Sequence, residues 1–475
     1  MQTFLTKQEK KLPFINYIIF TAVIILGLYI GNSIAEAGKV RVRVIALFLP
    51  LILLWVLNLS NVGRLRLLLV AILLVPLQMP MMPFRVSVSE LLLIVLACLQ
   101  IPVFQLAKRQ KNTFKIKHYL VLLLFILFAL SGLITAILYG RLEIWHVFCV
   151  IPLLWMYVAM NLVYNPEDAF KLIKAVVIGV LICIAIVRLA NITGHVTIDS
   201  TMGWRMGTQL IIMGPIEYRF YANTFAIFIA LGFIASSMLV LQTYRTVFIN
   251  LFYALIILIC AWCLISSGSR GGNIAAIIGT ILMLSLNPKT LFKRSSLKYF
   301  ALIIIMVLLI WHFRAFFYDH FIMQIGRFGK LSEGFSAINT FQTRMRYLGF
   351  AIDDVKHNPL GYGFGYMWNA YGYDDAIVYV YLLEGTGILG TIFFGFIVVL
   401  MFIHFVHNVI SKRLEKQKHL ASLGIGTLAL GLLAGISSES IMVNPLHSFV
   451  FWAILAICFA GTQGKLELPK NNDKT

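Results

Sequence analysis

The sequence predicts an all-α protein that crosses a bilayer roughly a dozen times, and three observations carry that prediction. Of its 475 residues, 60% are apolar and 12% charged, with a mean hydropathy of +0.90. Soluble domains run at about 45–50% apolar and about 25% charged, so a water-soluble fold is excluded. The second observation is a succession of apolar runs, most close to the roughly 20 residues that a helix needs to cross hydrocarbon. The third is the placing of the 39 Lys and Arg residues, which sit in short clusters between those runs. The net charge of +20 therefore does not describe a groove for nucleic acid, and no nucleic-acid partner is expected.

Taken in order, the runs predict spans near 14–33, 44–60, 67–80, 87–106, 118–138, 145–163, 170–190, 222–241, 248–267, 272–287, 299–314, 376–407, 420–437 and 445–461. These are the candidates for a bundle of 12–14 spans. No small-residue cleavage site follows the first run, so it is expected to remain as a span. With the N-terminus inside, the inner segments are the first tail, Arg64/Arg66, 108–117, Lys171/Lys174, Arg245, 289–298, 412–418 and the last tail. They hold 24 of the 39 basic residues, and both termini are therefore expected on the cytoplasmic side.

That register divides the chain into N-terminal helices (1–191), a first long outer loop (192–221), helices that include a Ser-Arg-Gly-Gly turn (222–314), a large outer loop (315–375), and C-terminal helices with a tail (376–475). The large loop carries Phe317, Phe321, Ile322, Met323, Phe328, Phe335 and Phe341. Short amphipathic helices lying against the membrane would satisfy both its apolar and its polar residues. Loops of this length are more often functional than idle. No internal repeat of the kind that marks many transporters is visible.

The outer basic residues run against the positive-inside pattern, and most are arginine. Past residue 200 they are Arg205, Arg219, Arg270, Arg314, Arg327, Arg344 and Arg346, with Lys330 and Lys356 besides. The planar guanidinium fork matches phosphate oxygens two at a time, so an arginine-rich face beside lipid suits a membrane-anchored phosphate or diphosphate. The bland alternative for each is snorkelling to the headgroups. Arg270 stands in Ser266-Ser267-Gly268-Ser269-Arg270-Gly271-Gly272, between two spans with almost no loop. A charge pinned there is costly without a partner, although a plain hairpin turn is the other reading. Arg188, near the outer end of its span, is open to snorkelling, to lining a cavity, or to pairing with Glu217 or Asp199.

Among the acids, Asp374 and Asp375 precede an apolar helix, where they read either as N-terminal caps or as a general base at the membrane surface. His312, His320, His357 and His447 stand alone, and structural or interfacial roles suit them better than catalysis. All six cysteines lie in apolar runs, including Cys260 and Cys263 with their CxxC spacing. They read as small apolar residues; neither a disulfide nor a metal site is expected, and no cofactor.

Three segments carry a family resemblance: Ser267–Gly279 (SGSRGGNIAAIIG); Arg344-Met-Arg346 followed by His357–Trp368 (HNPLGYGFGYMW); and Val380–Gly390 (VYLLEGTGILG). In this order, at these places in the topology, they resemble the O-antigen ligase and polymerase superfamily of bacterial envelope glycan assembly. The resemblance spans roughly residues 200–410. Members usually carry a His-Asn pair nine residues before the Glu of the third motif; here, nine before Glu384, stands Asp375. That departure favours the polymerase branch and makes Asp375 the candidate base.

The resemblance implies glycosyl transfer at the periplasmic face of the bacterial inner membrane, without a metal. The donor and acceptor would be oligosaccharide repeats on undecaprenyl diphosphate, among membrane lipids and with a chain-length regulator protein as a further partner. Arg205, Arg219, Arg270, Arg344 and Arg346 would bind the diphosphate, Arg270 acting with Asp375 in catalysis and Arg188, Glu384 and His357 in support. Two alternatives stay open: a ligase that passes glycan to a lipid core, and a flippase for the same lipid-linked sugars.

Overall fold

A computed structural model describes residues 61–74, 88–99, 116–139, 142–192, 209–211, 217–219, 222–242, 247–267, 269–288, 339–364, 366, 377–411, 414–437 and 445–463. The expected spans 14–33, 44–60 and 299–314 lie outside these residues, as do Arg205 and Asp375. Within them the chain is a helical bundle, as its hydropathy requires. In order the helices are α1 (Asn61–Leu74), α2 (Val88–Leu99), α3 (Ile116–Leu138), α4 (Leu142–Trp145), α5 (Ile151–Leu162), α6 (Pro166–Ile192), α7 (Ala222–Leu241), α8 (Val247–Ser267), α9 (Arg270–Ser285), α10 (Asn339–His357), α11 (Val378–Ile410), α12 (Glu415–Ser437) and α13 (Pro445–Gly461).

Four of these are long and apolar enough to cross a membrane: Tyr119–Leu138, Pro166–Ile186, Val378–Ile410 and Glu415–Ile436. Shorter apolar helices run over His146–Leu162, Phe225–Leu241, Phe248–Leu264, Gly271–Ser285 and His447–Gly461. The expected 67–80 span starts earlier, since α1 begins at Asn61 and takes Arg64 and Arg66 into its first two turns, and residues 75–80 of that span lie outside the described residues. Between α4 and α5, His146–Val150 forms a π-helical turn. Pro152 has no amide hydrogen to give to the preceding turn, and a local widening of the helix accommodates the loss.

α13 forms the centre of the bundle. Phe449 through Ala460 are all at most 4% exposed, as expected of a helix that is apolar on every side. Trp452 is packed edge-on to Phe125 of α3 and near Phe394 of α11, with ring centroids 5.4 and 6.4 Å away. The outer helices instead show apolar stripes at helical spacing: Leu123, Ile126, Leu130, Ile134 and Ile137 on α3, and Ile392, Phe396, Val399 and Ile403 on α11 are 39–61% exposed. Apolar surface on this scale is tolerable only against lipid. α9 and α12 cross at Gly279 and Gly426, where a Cβ on either would lie 2.7 Å from the other's carbonyl oxygen. Such close backbone approach is how helices associate where burial from water supplies no driving force.

Basic segments meet at one end of the described bundle. There Lys416 of α12 meets Glu167 of α6 at 2.7 Å, and the charge of Arg64 acts on the Tyr164 hydroxyl beside them. Three of the basic segments expected inside thus share an end. At the other, the Tyr379 hydroxyl donates to the Leu432 carbonyl (2.9 Å), and that of Ser448 to the Val147 carbonyl (3.0 Å). In the first long loop, Gln209–Ile211 and Glu217–Arg219 pair as a small antiparallel hairpin, Gln209 opposite Arg219.

Candidate functional site

The Ser-Arg-Gly-Gly segment builds the start of α9. Ser269 is its N-cap, accepting a hydrogen bond from the Gly272 amide at 3.3 Å. Ser267 accepts from the Ser269 amide (3.2 Å) while donating to the Leu264 carbonyl (2.6 Å). The Asn273 amide group reaches back to both the Leu264 and Ser269 carbonyls, at 3.0 and 2.7 Å. The connection from α8 to α9 is therefore held by two hydroxyls and a carboxamide. Gly272 serves packing: a Cβ there would stand 2.7 Å from the Cβ of Ala226 on α7.

Arg270 is thereby the first residue of a helix whose first turn contains no acid. A cation at the positive end of a helix is electrostatically misplaced unless an anion lies nearby. The side chains of Arg270, Arg188 and Arg219 are outside the described residues; their backbones belong to α9, the last turns of α6 and the hairpin.

The other two motifs meet each other. α11 is two helices joined at Gly387, whose φ of 66° and ψ of −166° cannot continue a right-handed helix and are open only to glycine without strain. The break frees backbone groups, and the 358–364 loop takes two of them. The Ile388 amide donates to the Pro359 carbonyl (3.0 Å), and the Gly363 amide to the Glu384 carbonyl (2.9 Å). Thr135 of α3 supplies a third bond, its hydroxyl donating to the Gly385 carbonyl. Gly361 and Gly363 adopt φ of 89° and 92°, and a Cβ on Gly363 would press on the Tyr139 ring from 2.6 Å. Phe364, 1% exposed, is wedged between Gly385 and Phe148 of the π-turn, with ring centroids 5.5 Å apart. Glu384, on the turn so clamped, is itself 1% exposed.

α10, in the large loop, is amphipathic, while Phe317, Phe321, Ile322, Met323, Phe328, Phe335 and the Phe341 side chain lie outside the described residues. Its Tyr347 and Ala351 pack on Ile377 and Val380 of α11, while Gln342, Arg346, Asp353 and Lys356 face outward. Arg344 is half-buried, and the Arg346 guanidinium lies 5.4 Å from the Phe350 ring centroid, a cation–π distance. Lys356, 2.7 Å from Asp353, holds that carboxyl below its ordinary range by hydrogen bond and charge. His357 Nδ1 lies 2.8 Å from the Asp353 carbonyl, so this imidazole is engaged with its own helix terminus. His447 is fully buried, edge-on to Phe228, in keeping with a structural role.

Asp374 and Asp375 lie outside the described residues, and the N-cap of α11 is Ile377. Thr135 and Phe148 were not legible as site residues. The one available signal was the trio Ser131, Gly132 and Thr135, small and polar residues one turn apart in an apolar run, which mark a helix contact face.

Fold and site together define a multi-span membrane protein whose arginine-bearing helix start, broken-helix glutamate and glycine loop lie at one end. Residues 253–395 match the family described as O-antigen ligase, a stretch from α8 to the second half of α11 that includes the Arg270 turn and the Glu384 clamp. The match supports the O-antigen ligase and polymerase superfamily, and with it a membrane enzyme of the glycosyl-transfer type in O-antigen assembly. A comparison with curated proteins finds no match.

Proposed function

We propose that this protein is a polymerase that joins oligosaccharide repeats carried on undecaprenyl diphosphate, at the periplasmic face of the inner membrane. The observation that carries the reading is Arg270 at the acid-free start of α9, where helix dipole and guanidinium both ask for an anion. A diphosphate at the membrane boundary meets that demand. In the reaction an acceptor sugar hydroxyl attacks the anomeric carbon of the donor while the carbon–oxygen bond to the diphosphate breaks. The leaving diphosphate takes the electron pair, and Arg270, with Arg205, Arg219, Arg344 and Arg346, stabilises its charge. Asp375 accepts the hydroxyl proton. Glu384, buried beneath the loop, acts as the counter-charge that keeps the cations of the site in place.

Purified protein in lipid discs, given lipid-linked repeat alone, tests this reading. A product of two or more repeats with release of undecaprenyl diphosphate is the expected result. Transfer only after a lipid-core acceptor is added would make the protein a ligase. No transfer with either would overturn glycosyl transfer and leave transport of the same lipids.

A further inference from the structure

We propose that Thr135, on α3 and outside the residues matched to the family, is a positioning residue for the Glu384 turn. Were α11 continuous, the carbonyls of Glu384 and Gly385 would take the amides of Ile388 and Leu389, four residues on. The break at Gly387 cancels that pattern. In its place the Gly363 amide satisfies Glu384 and the Pro359 carbonyl takes the Ile388 amide, both from the loop. The Gly385 carbonyl is satisfied from the opposite side, by the Thr135 hydroxyl.

Thr135 is the one partner in this set on a spanning helix. It is 1% exposed, and its single hydroxyl proton lies between the Gly385 carbonyl and the Gly132 carbonyl of its own helix, the latter 3.0 Å away. The neighbouring contacts are equally tight. A Cβ on Gly132 would meet Thr386 at 3.1 Å, so α3 and the broken turn touch without room for water. In such surroundings a carbonyl that loses its donor has no solvent to turn to, and the backbone must move to find one. The residue that moves with it is Glu384, one position earlier. The loop bonds tie the turn to the outer face, whereas Thr135 ties it to the bundle, so removing Thr135 lets the turn travel with the loop.

The inference rests on the glycosyl-transfer reading for its kinetic arm only. Thr135→Val removes the hydroxyl at nearly constant volume, and Thr135→Ser keeps it. With equal accumulation in the membrane, the Val variant should lose about tenfold in kcat with KM for the lipid-linked donor nearly unchanged, because geometry and not affinity is lost. The Ser variant should retain most of kcat, a rescue that a merely space-filling role would not require. A Val variant that accumulates and turns over like the parent overturns the proposal.

Should the Val variant fail to accumulate, Thr135→Cys, a weaker donor of similar size, replaces it. A kcat for Cys below that for Ser supports the proposal, and equal values overturn it. Should the parent itself transfer no glycan, hydrogen exchange over 380–392 in lipid discs decides. Faster exchange in the Val variant supports the pin independently of the reaction, and unchanged exchange overturns it.

Discussion

The backbone amide of Gly363 donates to the carbonyl of Glu384 at 2.9 Å, which joins the large loop to a break in a membrane helix. The two residues belong to separate sequence motifs, and this bond makes them one structural unit. Its partner bond, from the Ile388 amide to the Pro359 carbonyl, closes the unit from the other direction. The glycine pattern of the loop follows from this contact, since left-handed backbone and the ring of Tyr139 both exclude a side chain at Gly363.

Gly363→Ala should therefore loosen the clamp. Positive φ for alanine costs about 1–2 kcal/mol before any clash is counted, and the Tyr139 ring adds to it. Limited proteolysis of outer-face preparations should show new cleavage around 358–366, together with reduced glycan extension. An unchanged digestion pattern would contradict the clamp.

Phe364→Ala should be among the more destabilising single changes in the loop. It empties a buried ring site between Gly385 and Phe148, a class of substitution that costs about 3–5 kcal/mol. Thermal unfolding of the purified protein in detergent measures it, with Leu360→Ala, at a 54% exposed position, as a near-neutral comparison.

Gly279→Leu should separate α9 from α12, because the Gly426 carbonyl occupies the space a side chain would need. Overpacking of this kind costs about 1–3 kcal/mol or more. Gly395→Ala on α11 meets nothing within 4 Å and should leave the melting temperature near that of the parent. Equal melting of the two variants would count against the crossing.

Arg270→Ala should still insert and accumulate, since Ser267, Ser269 and Asn273 hold the turn without it. Loss of one such charge-stabilising donor commonly costs on the order of 10²–10³ in rate. Arg270→Lys keeps the charge without the fork and should fall between Ala and the parent. Extension of glycan by Arg270→Ala at the parent's rate would remove Arg270 from the donor site.

Single cysteines placed in 192–221 and in 315–375, in a chain lacking its own six, should both react with a membrane-impermeant thiol reagent in intact spheroplasts. Reaction only after lysis would invert the orientation.

By itself, the sequence determined the helical bundle, most of the span positions that fall among the described residues, the meeting of three basic segments at one end and an amphipathic helix in the large loop. Each of these is a local property: a crossing needs a run of apolar residues, and an end needs charge. α3, α5, α6, α7, α8, α12 and α13 accordingly fall close to the expected spans. It also marked Arg270, because a charge between two apolar runs is visible without any fold. Tertiary structure alone decided the partners at the break. Nothing local in Thr135 names Gly385, 250 positions away, as its acceptor. Nor could the segment around Glu384 announce that its helix stops and borrows bonds from 359–363. A continuous helix satisfies its own backbone, but a broken one is satisfied by whatever packs beside it, and packing is settled only when the distant segments meet.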